Sequence, residues 1–277
     1  MDYLIAIISG IIQGIFEWLP ISSQGNLLGF FTLASINLDS AIELSIFLHI
    51  GTMFAAIIYF RKEIIDLIKS SLMKIKSLDK KNKINLRKKD LENYNFARFL
   101  FIATASTAIT AIPSYFFLRK IVGTNVTTSI LILIALMLIV TGIIQIKQTK
   151  KQNKIDNTNE LSIRNAIAVG LMQGFSIIPG ISRSGMTTAT LLFLNFKPEN
   201  VFKISFLMSI PAVIIAEIGF GIIEGFTITQ YSIVAVTISF IVGLISIDLL
   251  IKFAKKINFS LFCFILALIY IVASIII

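Results

Sequence analysis

The chain has 277 residues, 56% of them hydrophobic and only 14% charged, with a mean hydropathy of +0.88. Those proportions exclude an ordinary soluble domain and describe an integral membrane protein. The net charge of +10 would suggest nucleic acid in a soluble chain. Here the charge is gathered in loops between apolar runs, so it bears on orientation in the bilayer and no nucleic-acid partner is expected.

The N-terminal "MDYLIAIISGII" has no basic residue ahead of its apolar stretch and carries Asp2, so it reads as mature protein rather than a cleaved signal. Residues 3–19 and 27–36 are each short for a crossing and flank "PISSQGN" at 20–26. The first full span is 41–60, since about 20 apolar residues are needed to cross a hydrocarbon core. In the basic loop 61–98, "EIIDLIKSSLMKIKSL" puts Ile64, Ile65, Ile68, Leu72 and Ile75 on one helical face, a pattern for lying in the interface against anionic lipid. "DKKNKINLRKKD" reads as a solvated charged loop. Spans 99–118 and 129–146 form a hairpin, a basic loop covers 147–164, and 165–196 is apolar but interrupted by "PGISRSG". Spans 201–223, 231–251 and 258–277 complete six crossings. The single Cys263 lies in the last of these, excludes an internal disulfide framework and reads as a packing residue.

Charge bias orients these elements. Twelve basic residues lie in 61–98, five in 147–164, two at 197–203 and three at 252–256, together 22 of the 25, which places those segments on the cytoplasmic side of a cell membrane. The tips 37–40, 119–128 and 224–230 and both termini then fall outside. Segment 165–196 must enter from the cytoplasm and return to it, and 1–36 must do the same from outside. Each is expected to be re-entrant, two half-helices broken at a proline-containing turn. The turns resemble one another: in "GIIQGIFEWLPISSQG" and "GLMQGFSIIPGISRSG", Gly10, Gln13 and Gly14 match Gly170, Gln173 and Gly174, and Pro, Ser, Ser and Gly follow with one slip. The expected fold is all-α: one polytopic domain of six transmembrane helices plus two re-entrant segments, with repeats at 1–146 and 165–277. Such inverted repeats place broken helices and a polar site at the repeat interface.

Small residues serve close helix packing in membranes, but packing does not account for Glu17 and Arg183. A charge at the bilayer centre costs about 3 kcal/mol on insertion scales, so each marks a functional site. Arg183 offers a planar fork of donors suited to phosphate oxygens. Ser182, Ser184 and Thr187 add hydroxyls, and the amides near Gly185 add the positive end of a helix dipole. Glu17 supplies the opposite chemistry, with Gln13 four residues earlier on the same face and Ser22, Ser23 and Asn26 in the break. It can take a proton from Ser23 or from water while Arg183 clamps a phosphoryl group. An ion pair that merely fixed the fold would need none of those hydroxyls. His49, the only histidine, stands outside both motifs and reads as a packing or interhelical hydrogen-bonding residue rather than a base. Glu43, Glu217 and Asp248 lie near span ends and are expected to be solvated there.

Together, "QGIFEWLPISSQGN" and "QGFSIIPGISRSGMT" resemble the two signatures of the undecaprenyl-diphosphatase (BacA/UppP) family, and the resemblance extends through "LHIGTMFAAIIYFRKEI" and "SFLMSIPAVI". It implies hydrolysis of a C55 polyprenyl diphosphate to the monophosphate, recycling the carrier lipid of cell-envelope glycans. It assigns function to Glu17, Ser23, Ser182, Arg183 and Thr187. Gln13 occupies a place where the family has Glu or Gln. Asn26 stands where the family often has histidine, which removes a histidine-centred mechanism at that position and shifts the work to Glu17 and Ser23. The resemblance further implies a divalent cation, magnesium or calcium. Gln13 and Glu17 make a poor site alone, so the cation would be shared between Glu17 and the diphosphate. A homodimer is a further expectation. A polyprenyl phosphate transporter or flippase using the same site is the alternative, since it would need Arg183 but neither base nor nucleophile. An inactive scaffold is a third reading.

Overall fold

The computed structural model describes residues 2–78, 86–122, 127–149, 161–223, 225, 227–253 and 258–276. Backbone that enters hydrocarbon must satisfy its own hydrogen bonds, and among the described residues all regular structure is helical. Six stretches are long and apolar enough to cross a membrane: Leu38–Tyr59, Lys88–Leu118, Thr128–Ile146, Asn200–Ile222, Gln230–Leu249 and Phe259–Ile276. They correspond to the six expected spans, with two differences. The first consists of α3 (Leu38–Phe47) and α4 (His49–Tyr59), interrupted at Leu48. The second, α6 (Lys88–Val122), begins eleven residues earlier than expected. Its charged first turns stay helical beside α5 (Arg61–Lys76), with Lys89 Nζ 3.5 Å from Asp66 and Asn93 Nδ2 3.4 Å from Ser70 Oγ.

Helix α5 matches the amphipathic stretch. It buries Leu67 and Ser70 and leaves Ile65, Ile68, Leu72 and Ile75 exposed, while Ile64 packs inward. The later spans are α7 (Thr127–Thr149), α10 (Pro198–Ile223), α11 (Gln230–Phe253) and α12 (Phe259–Ile276). Large apolar side chains such as Phe116, Phe117, Ile218 and Leu268 stay exposed on the spans, the surface expected of helices that face acyl chains.

Both expected breaks are present. Helix α1 (Tyr3–Phe16), capped by the Asp2 carboxylate accepting from Ile5 N at 2.8 Å, stops before Glu17, and α2 (Ser23–Leu33) begins after the turn. Helix α8 (Ile163–Gly174) runs into a 3-10 turn at Phe175–Ile177, and α9 (Arg183–Phe193) follows. At 1.5 Å per residue α1 is about 21 Å long, too short to cross unaided.

The matched glycines of the two breaks have matched places in the fold. A Cβ on Gly10 would lie 2.6 Å from Ala235 O, and one on Gly14 would lie 2.7 Å from Val242 Cβ, so α1 crosses α11 nearly backbone to backbone. Likewise Cβ atoms on Gly170 and Gly174 would strike Ala103 O and Thr107 O of α6. Without a hydrophobic drive between helices in lipid, such close approach is what holds them together. Each short helix is thereby anchored on a span from the other half of the sequence.

Candidate active site

The turn after α1 is pinned by four other elements. Trp18 Nε1 donates to Gly243 O of α11 at 3.1 Å and its ring packs on Phe206, centroids 5.1 Å apart. Ser184 Oγ of α9 donates to Leu19 O at 2.8 Å, and Gln145 Nε2 of α7 donates to Pro20 O. The chain then reverses at Ser22, whose φ of 61° is unusual for a residue with a side chain. Bonds around it hold this conformation: Ser22 Oγ accepts from Gly25 N (3.2 Å) and Gly180 N (3.1 Å), and Asn26 Nδ2 donates to Ile21 O and Ser22 O, both at 2.8 Å. Tyr270 of α12 donates in turn to Asn26 Oδ1 at 3.1 Å.

The second turn is held comparably. Gly180 takes a φ of 97°, Thr141 Oγ1 donates to its carbonyl at 3.1 Å, and Ser182 Oγ caps α9 by accepting from Gly185 N at 3.1 Å. Ser22 and Ser182 are thus equivalent N-caps of two eleven-residue helices, and Ser23 and Arg183 are the first residue of each. Helix-start geometry sends these two side chains to one place.

That place is Glu17, which is 6% exposed. Its Oε2 accepts from Ser23 Oγ at 2.7 Å and Gln13 Nε2 at 3.0 Å, and lies 3.3 Å from His49 Nε2. Its Oε1 accepts from Arg183 at 2.5 Å, and the same guanidinium donates to Ser205 O of α10 at 2.9 Å. Thr187 Oγ1 lies 2.6 Å from Ser205 Oγ and 2.9 Å from Arg183 O. Gln13 Nε2 also reaches Thr52 Oγ1 at 3.2 Å, whereas Gln13 Oε1 is buried without a partner.

Of the residues singled out in the sequence, Gln13, Glu17, Ser23 and Arg183 meet directly, and Thr187 stands beside Arg183. Ser22, Asn26, Ser182, Ser184 and Gly185 are engaged in shaping the two turns. Two contacts were missed, Thr52 and Ser205, neither of which carried a signal in the sequence. His49, read as a packing or interhelical hydrogen-bonding residue, lies across helices with Nε2 3.3 Å from Glu17 Oε2. Among the remaining acids, Glu43 is partnered by Thr227 N and Asp248 by Tyr59 at 3.0 Å. Glu217 departs from expectation: it is buried, with neither carboxylate oxygen bonded.

The residues present do not fit a divalent cation held by the protein. Such an ion needs several oxygens and at least one free carboxylate. Both Glu17 oxygens are occupied by donors, one of them a permanent cation. Gln13 Oε1 is a single neutral acceptor, and among the described residues no cluster of three or more His, Cys, Asp or Glu could hold a metal.

Six apolar crossings among the described residues, with an arginine, a carboxylate and a serine hydroxyl bonded together where two half-helices start, define a polytopic membrane protein with a buried charged cluster. The family follows from comparison with known sequences. The chain belongs to the family described as bacitracin resistance protein BacA, whose model matches residues 6–272. It is 40% identical to the undecaprenyl-diphosphatase of Methanococcoides burtonii over 93% of either chain. Identity is 34% to that of Sulfurisphaera tokodaii, over 99% of this chain and 98% of the relative. It is 33% to that of Methanothrix thermoacetophila, over 95% and 93%.

Proposed function

We propose that this protein is a membrane phosphatase that hydrolyses a polyprenyl diphosphate, undecaprenyl diphosphate by the name its relatives carry, to the monophosphate and inorganic phosphate. The observation that carries the reading is the 2.7 Å bond from Ser23 Oγ to Glu17, whose other oxygen is held by Arg183. Hydrolysis needs such an oxygen–base pair beside a phosphate clamp, and a carrier does not. Arg183 is the clamp. A guanidinium has five N–H donors, so the two bonds to Glu17 and Ser205 leave donors for phosphoryl oxygens. Glu17 is the base: it takes the proton of a water that Ser23 orients as that oxygen attacks the terminal phosphorus and the bond to the polyprenyl phosphate breaks, or it takes the proton of Ser23, in which case water then cleaves the resulting phosphoserine to inorganic phosphate and restores the hydroxyl. The departing polyprenyl phosphate is already an anion and needs no proton, which suits a site where Glu17 is the one carboxylate among the described residues.

Support for the arrangement in the membrane comes from the charge bias: basic loops at the cytoplasm, termini outside, and residues 1–36 and 165–196 as re-entrant segments. Purified protein in detergent, given farnesyl or undecaprenyl diphosphate, is expected to release inorganic phosphate. Glu17→Ala and Arg183→Ala should each lower the rate at least about 100-fold. A wild type that binds the lipid and releases no phosphate sinks the reading.

A further inference from the structure

A diphosphate held by Ser23 and Arg183 would sit inside the bundle, but the long polyprenyl tail attached to it belongs in hydrocarbon and has to leave sideways, through a gap between helices. The hairpin of α6 and α7 provides one. Although consecutive in the chain, these two helices barely touch among the described residues: α6 packs along α8, and α7 along α12. The broken segments fill the space between them, with α2 and α9 packed on α7 and the 3-10 turn packed on α6.

A small cavity lies in this gap. Leu118 of α6, Ile130 and Leu133 of α7, and Leu28 of α2 line it, with Ile42 of α3 beside them. The rest of the lining, Gln24 and Pro179, sets it against the reaction centre. Gln24 follows Ser23 in the chain, and Pro179 precedes Gly180, whose amide donates to Ser22 Oγ at 3.1 Å. No charged residue enters the lining, and Gln24 brings its one polar side chain. At about 30 Å³ the cavity has room for a water but too few polar partners to keep one, which leaves it to apolar groups. Its surroundings are apolar too, since Phe116 and Phe117 before Leu118, and Ile132 between Ile130 and Leu133, are exposed. Ile42, Leu118 and Leu133 are only half-buried, so rotation of their side chains can widen the space. A larger cavity of about 280 Å³ is lined by Lys62, Glu63, Asp66, Lys89 and Lys203, and such charges would lose hydration against a hydrocarbon chain.

We propose that the cavity between α6 and α7 receives the first isoprene units of the substrate's polyprenyl tail, and that the rest of the tail passes between these helices into the surrounding lipid. Resting on the hydrolytic reading above, this site separates a lipid diphosphate from a soluble one. Apolar groups buried there add binding energy that the headgroup alone does not supply.

Two experiments test this. Farnesyl diphosphate carrying a photoreactive diazirine in its first isoprene unit, bound to the wild type in detergent and irradiated, is expected to attach to α2, to α6 around Leu118 and to the start of α7. Unlabelled farnesyl diphosphate should suppress these adducts. Adducts confined to other helices overturn the proposal, as do adducts that phosphatidylglycerol suppresses equally well, since the cavity would then take any acyl chain. In phosphate-release kinetics, Leu133→Trp fills the cavity from a half-buried position and is expected to raise KM for farnesyl diphosphate about tenfold or more, with kcat little changed. A Leu133→Trp that melts like the wild type and keeps its KM also overturns it. Adducts in the cavity without phosphate release by the wild type leave the tail site standing and defeat hydrolysis, whereas release with adducts elsewhere does the reverse.

Discussion

Asn26 shows how much a single side chain can contribute to the shape of a site. Its amide holds Ile21 O and Ser22 O while Tyr270 holds its oxygen. It keeps Ser22 in its left-handed conformation and so sets where Ser23 emerges. Removing the amide in Asn26→Ala strands the Ile21 carbonyl, at about 1–3 kcal/mol, while Ser22 O keeps its bond from Asn26 N. The variant should melt several degrees lower in detergent and lose most of its phosphate release, and an unchanged melting curve would refute this role. Glu17, Ser23 and Arg183 were legible in the sequence because charge and hydroxyls are conspicuous in apolar surroundings. His49 was read as a packing or interhelical hydrogen-bonding residue with no partner named, because nothing in a sequence gives the register of α4 against α1, and that register alone brings Nε2 to the carboxylate.

Among the elements, the glycines decide which helices can cross. Gly14 and Gly174 match in sequence, and each lets a half-helix lie against the backbone of a full span, α11 for one and α6 for the other. The repeat announced the pairing of the glycines but not the identity of the partners, since close approach leaves no mark on the helix that is approached. A methyl at Gly14 would sit 2.7 Å from Val242 Cβ and 2.8 Å from Gly243 N, the same stretch of α11 whose Gly243 carbonyl holds Trp18. Overpacking of this kind costs about 1–3 kcal/mol, and it moves Glu17 with it. Gly14→Ala and Gly174→Ala should therefore lower both melting temperature and phosphate release. Gly219→Ala, with nothing within 4 Å of its added methyl, should alter neither. Equal behaviour of the three variants would show that the crossings are not the constraint. Span limits were legible where hydropathy ends them. They were not legible at α6, whose first turns are polar yet remain helical against α5, nor at Leu48, where an apolar run conceals a break.

For the molecule as a whole, the open quantity is which side each end of the two broken segments faces, and the charge bias gives a definite answer. If 1–36 enters and returns, Asp2 and Asp39 share the outer side; if it crosses, they face opposite sides. The same holds for Arg164 and Lys197 around the second segment, on the cytoplasmic side. All four are exposed, and the native Cys263 is fully buried, so single cysteines at these positions can be read without interference. In spheroplasts, a membrane-impermeant maleimide is expected to label Asp2→Cys and Asp39→Cys at once, and Arg164→Cys and Lys197→Cys only after permeabilisation. Labelling of one member of a pair without the other means that segment traverses the bilayer, and the two half-helix starts that carry Ser23 and Arg183 could then not approach the site from opposite faces. The test matters to the chemistry because two N-termini entering from opposite sides both direct their positive ends at the centre, where a diphosphate would lie.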